Sequence, residues 1–131
     1  MSQDRISFSP TNIFAPFGNY SHGVLNRKTG LLVTSGQLGI DINGNIPNSF
    51  IEQTKICFAN VIAIIKEADF NLGDIIRVNA FLTKREHFKE YMKIRDEVFE
   101  NVEVKPASTL LVVSGFTKPE FHIEIEVTAQ K

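Results

Sequence analysis

Near the end of the chain, Phe121, Ile123, Ile125 and Val127 alternate with His122, Glu124, Glu126 and Thr128. This period of two predicts a strand with one apolar face and one face of ionisable groups. The run from Pro106 to Val113 predicts a strand just before it, and Arg5 to Phe8 predicts a short first strand ended before Pro10. Residues 20–26 and 31–37 pair as a hairpin around Arg27-Lys28-Thr29-Gly30, with Gly30 where a positive φ is needed. Asn43-Gly44 marks a second turn. Ile75 to Leu82 predicts a central strand, with Ile75, Arg77, Asn79 and Phe81 on one face and Ile76, Val78, Ala80 and Leu82 on the other.

Two stretches switch to helical spacing. Ser49-Phe50-Ile51-Glu52 fits a capping box, and Phe50, Thr54, Cys57, Phe58, Val61, Ile64, Ile65 and Ala68 form a broad apolar stripe that ends near Asn71-Leu72-Gly73. Thr83-Lys84-Arg85-Glu86 offers a second capping box, before a stripe of Phe88, Tyr91, Met92, Val98 and Phe99. Arg95 sits within that stripe, where an apolar residue is due. The order β-β-β-α-β-α-β-β predicts an α+β sandwich, a mixed sheet with both helices on one side, as a single domain over residues 1–131. Only the first dozen residues are expected to be loose. The uncovered sheet face, with Arg77, Asn79, Phe81 and residues of the closing strands, reads as a subunit interface.

Composition narrows the function classes. With 43% hydrophobic residues the chain can bury a sizeable core, and a net charge of -1 provides no basic field for nucleic acid. The single Cys57 reads as a small core residue in a reducing compartment, and no Cys/His spacing suggests a metal site. The start of the chain has no signal-like segment and no apolar run approaches a membrane span, so the cytoplasm is the expected location.

No nucleophile elbow, phosphate loop or dinucleotide fingerprint is present. Glu124 and Glu126 share a strand face about 7 Å apart, with His122 beside them. A solvated edge or an ion pair with Arg77 accounts for them, unless an interface buries one carboxylate and turns it into a general acid or base. Tyr20-Ser21-His22 reads first as an ordinary strand. Gly36, within Ser35-Gly36-Gln37, leaves backbone amides open either to a ligand or to close packing. Arg95 is expected to lay its stem along the core with its head at the rim, or else to put a positive charge into an intersubunit cleft.

Six segments resemble, in order, the Rid family, also called the YjgF or L-PSP family. They are Phe17-Gly18-Asn19-Tyr20-Ser21-His22-Gly23, Val33-Thr34-Ser35-Gly36-Gln37, Gln53 through Asn60-Val61, Leu72-Gly73-Asp74-Ile75-Ile76, Pro106-Ala107 and Ile123-Glu124-Ile125-Glu126. The resemblance implies a chorismate-mutase-like fold and a homotrimer with small-molecule clefts between subunits. It also implies hydrolysis of reactive imines and enamines, such as 2-aminoacrylate, to a keto acid and ammonia without a cofactor. By the same resemblance Glu124 matches the residue that positions the attacking water, and Tyr20 and Gly36 match cleft residues.

The chain departs from the family pattern at one point of chemical weight. The Arg that holds the substrate carboxylate in Rid proteins of the RidA type follows Pro-Ala, and here Pro106-Ala107 is followed by Ser108 and Thr109. The Cys two residues beyond that Arg is Leu110, and a cleft Asn and a nearby Tyr on the second helix become Met92 and Arg95. A hydroxyl brings no charge and a single donor, so losing the guanidinium fork costs about 2 to 5 kcal/mol of binding. The first reading is therefore a hydrolase of altered selectivity, with Glu124 as base, Tyr20, Gly36, Ser108 and Thr109 lining the cleft, and Arg95, Arg77 or Lys105 as the substitute cation. A non-catalytic trimer that binds a metabolite or partner is the alternative, and a ribonuclease or translation inhibitor ranks last.

Overall fold

The computed structural model describes residues 4–131. Residues 1–3, at the start of the stretch expected to be loose, lie outside the described residues. The expectation of looseness fails from Arg5 onward, because β1 (Arg5–Phe8) pairs antiparallel with β2 (Gly23–Asn26). β3 (Leu31–Thr34), β4 (Gln37–Leu38), β5 (Ile75–Leu82), β6 (Ala107–Val112) and β7 (Ile123–Gln130) complete one mixed sheet. Its spatial order is β1-β2-β3-β7-β5-β6, with β4 also on β7, and among the described residues only the β5–β6 pair is parallel. Helices α1 (Phe50–Glu67) and α2 (Phe88–Val98) cover one face.

The alternation expected of β7 is realised. Ile123, Ile125, Val127 and Ala129 are buried against α1, while Glu124, Glu126 and Thr128 lie on the uncovered face. Every stripe position is buried, Phe50 to Ile65 within α1 and Ala68 at its C-terminal cap, and Ser49 caps the start by accepting the Glu52 amide at 3.2 Å. Gly30 and Gly44 adopt φ of 77° and 86°, as their turns require.

Several local expectations are corrected. Residues 20–22 are not strand: β2 begins at Gly23. α1 stops at Glu67, where Asp69 turns to φ 62°, and Asn71 to Asp74 form a separate one-turn helix with its own capping box. Of the first capping box only the Ser49 half forms, and the second does not form; residues 85–87 make a 3-10 turn and α2 starts at Phe88 without a side-chain cap. Phe88 is exposed and Ile94 takes its place in the core, beside Tyr91. A β-bulge between Ile75 and Arg77 puts Ile75 inside and Ile76 outside, the reverse of simple alternation.

A second irregularity shapes the region of interest. Val33 pairs with Thr128 and Gln37 with Ile125, so the β3–β4 segment holds one residue more than β7 opposite it. The surplus falls at Thr34-Ser35-Gly36, and Thr34 compensates by accepting the Val127 amide through its hydroxyl at 3.1 Å. This bulge breaks the expected single strand in two.

The loop before α1 is fastened by one buried amide. Gln53, fully buried on α1, donates to the carbonyls of Pro47 and Glu120 at 2.8 Å each and accepts the His122 amide at 2.9 Å. It therefore joins α1, the loop before it and the entry to β7. We expect Gln53→Leu, close in volume but without polar atoms, to lower stability by roughly 2 to 4 kcal/mol, because three backbone groups lose their partner. Urea denaturation checks this through a lower midpoint at unchanged slope.

Candidate functional site

The outer face of the sheet is where the bulge leads. Glu124 pairs with Phe81 on one side and Leu38 on the other, and Glu126 with Asn79, whose amide donates to it at 3.2 Å. Glu124 is half-buried and accepts no hydrogen bond from the described residues. Its carboxylate lies over Gly36: a Cβ built there would come within 2.6 Å of it. Both readings of Gly36 thus meet at one point, since the close packing is against the candidate base. Burial, and then the charge of Glu126, push the Glu124 carboxyl above its usual value.

Tyr20 is 46% exposed, and its hydroxyl accepts the Phe17 amide at 3.1 Å. With His22, Gly36, Gln37 and Asn60 it lines a small cavity of about 20 Å³, the size of a single water. His22 is locked in place, its Nε2 2.7 Å from the Phe14 carbonyl and its Nδ1 3.2 Å from the Gln37 amide. Tyr20, Gly36 and Glu124 are therefore brought into one neighbourhood.

Ser108 and Thr109 are not. Ser108 pairs with Val78, a core residue, and so points to the helix side of edge strand β6; Thr109 pairs with Asn79 and points to the outer face. Glu124 and Ser108 lie on opposite faces of the sheet. Of the three candidate cations, Arg77 donates to Thr109 at 2.8 Å on the outer face and makes no ion pair with Glu124 or Glu126. Lys105 is used up: its ammonium donates to the carbonyls of Phe99, Glu100 and Val102 at 2.8, 3.1 and 2.7 Å, capping the end of α2. Arg95 reaches Ser108, its Nη1 donating to Oγ at 3.3 Å.

Among the described residues no group of three His, Cys, Asp or Glu side chains could hold a metal ion. Cys57 is buried, with its thiol pushed far up by burial, as a core role requires. No helix is long and apolar enough to cross a membrane among the described residues. Sequence reasoning missed the roles of Gln53, whose partners Glu120 and His122 are distant along the chain, and of Lys105, which folds back on carbonyls just before it in a loop without periodicity.

The family model described as Endoribonuclease L-PSP matches residues 10–131. A RutC family protein of Aquifex aeolicus is 36% identical over 117 residues, covering 88% of this chain and 91% of its own length. Among solved structures, the YjgF gene product of Escherichia coli superposes with a TM-score of 0.88 at 26% identity, over 96% of this chain and 98% of that one. A protein of the conserved Rid family from Yersinia pestis, YyfA, gives 0.89 at 25%, over 97% and 99%. The α+β sandwich has the chorismate-mutase-like fold expected of such proteins.

The raised Glu124 carboxyl carries a pH signature. A folded-state pKa above the unfolded value means that ionising Glu124 works against the fold: the cost is absent below the ordinary carboxylate range and complete above the raised value. We expect the melting temperature to fall as pH rises across that interval, and Glu124→Gln to flatten this part of the profile. Parallel profiles for the two proteins from pH ~4 to ~7 would contradict it.

Proposed function

The chain belongs to the L-PSP endoribonuclease family, the Rid or YjgF family, and on that premise we propose that it is a cofactor-independent hydrolase of small imines. The observation that carries this reading is Glu124: half-buried, raised in pKa and accepting no hydrogen bond from the described residues, its carboxylate is suited to bind and deprotonate a water. Water oxygen adds to the imine carbon as Glu124 takes a proton; the nitrogen, protonated in turn, leaves as ammonia when the C=O bond forms. One water is consumed and one ammonia released, with no change of oxidation state.

The cleft in this reading lies between copies of the chain. Two observations support that. Glu124 and Ser108 face opposite sides of the sheet, so a site using both draws them from different subunits. The outer face also exposes Leu31, Val33 and Leu111 around the carboxylates, more apolar surface than a solvated sheet needs. An RNA-cleaving role draws no support from a net charge of -1.

Two measurements test this. With freshly generated 2-iminobutyrate or 2-aminoacrylate, we expect ammonia release by the wild type and a loss of roughly 10²- to 10⁴-fold in Glu124→Ala. Activity that appears only in Ser108→Arg, and vanishes again with Glu124→Ala, would redirect the search to imines without a carboxylate. Silence from all variants would overturn the hydrolase in favour of a binding protein. Separately, sedimentation is expected to give a trimer that Val33→Glu with Leu111→Glu dissociates; a stable wild-type monomer at micromolar concentration would remove the shared cleft.

A further inference from the structure

We propose that Arg95, in the last turn of α2, is the receptor for the carboxylate of the ligand, and that Asp96 is an internal guard the ligand must displace. The choice of ligand rests on the imine reading; the receptor rests on the geometry around Ser108. A cavity of about 340 Å³ opens between the end of α2 and β6, lined by Arg95, Asp96, Phe99, Lys105, Pro106 and Ser108. That is the lower end of the range for small-molecule clefts, about 300 to 1,000 Å³.

The guanidinium is held but not saturated. Its Nε and Nη2 both donate to the same oxygen, Oδ1 of Asp96, at 3.2 and 3.0 Å, and Nη1 reaches Ser108 Oγ at 3.3 Å. Two donors sharing one oxygen do not form the paired fork that a well-placed carboxylate offers, and Asp96 is 70% exposed, so solvent weakens the pair. A ligand carboxylate with both oxygens toward Arg95 would make the better complex. Ser108 keeps its hydroxyl proton free to donate while accepting from Arg95.

Tyr91 is the second, independent sign. It lies one turn before Arg95, its ring centroid 5.8 Å from the guanidinium carbon, and it is fully buried. Its hydroxyl makes no hydrogen bond among the described residues, although Ser108 is near enough to influence it. Burial pushes the phenol up to about 12, so it stays protonated beside Ser108, which lines the cavity. A buried hydroxyl without a partner is uncommon unless something else satisfies it. Lys105, already bonded to three carbonyls, adds positive potential to the cavity wall but no free donor, whereas Glu100 and Asp96 oppose an anion. The receptor is consequently selective for ligands that bind Arg95 through both carboxylate oxygens.

The test reads binding, not turnover, so failure of the hydrolase assay leaves it intact. The wild-type protein is titrated with 2-oxobutyrate, a stable keto acid, and with butanone, which lacks the carboxylate, and binding is followed by NMR shifts. We expect saturable binding of the acid alone, weakened about tenfold or more by Arg95→Gln and partly restored by Arg95→Lys, which returns the charge without the fork. Asp96→Asn, at an exposed position with little effect on folding, is expected to tighten binding roughly threefold or more by removing the competitor. Equal binding by wild type and Arg95→Gln, weaker binding by Asp96→Asn, or no binding of the acid by the wild type would each overturn the proposal.

Discussion

A strand has two faces, and β7 uses them for different ends. One face gives Ile123, Ile125, Val127 and Ala129 to the core, where they meet the stripe of α1. The other is left with Glu124, Glu126 and Thr128. Because side chains alternate strictly, neither set can move without the other, and a slip of one residue would put carboxylates against α1. The register of β7 with β5 and β3 therefore fixes the core and the candidate site together. The bulge at Thr34-Ser35-Gly36 is tolerated within this frame because Thr34 supplies the missing backbone partner. Its effect is to bring a residue without a side chain under Glu124, which leaves that carboxylate packed on one side and unbonded.

The same alternation separates Ser108 from Glu124. β6 is an edge strand paired only with β5, so its inward residues are reached from α2 and its outward residues from the open face. Thr109 joins Arg77 outside, and Ser108 joins Arg95 inside. Two neighbouring residues of one strand thus face two distinct environments.

Elements with one internal period were legible in the sequence. β7 and α1 each bury a face that recurs at two or at three to four residues, and the turns at Gly30 and Gly44 need only local backbone freedom. Much of what was not legible depended on partners far along the chain or on local turns without a periodic signal. The bulge at Ile76 is a matter of how β5 meets β7, and α2 starts late because a 3-10 turn, not a side-chain cap, opens it. Gln53 looks like any polar helix residue until Pro47, Glu120 and His122 surround it. In the site, Glu124 and Gly36 could be named from the family pattern, but their contact comes from the extra residue in the bulge. The three candidate cations were equivalent by composition; only their surroundings distinguish them.

Those surroundings also explain why a cation suits position 95. The last turn of a helix presents unpaired carbonyls and a negative dipole end, which favour a positive charge there. Tyr91, four residues earlier, lies beneath the guanidinium and limits where it can swing. Lys105 already occupies the carbonyls of Phe99, Glu100 and Val102, so Arg95 is not drawn into capping and can turn toward Ser108. A cation on strand β6 would be set by the ladder and open to any anion that entered. A cation on α2 beside Asp96 is instead in competition from the start, and an anion gains from it only by offering more than the single oxygen it already has. Arg95 therefore keeps a positive charge beside Ser108, on the helix side of β6.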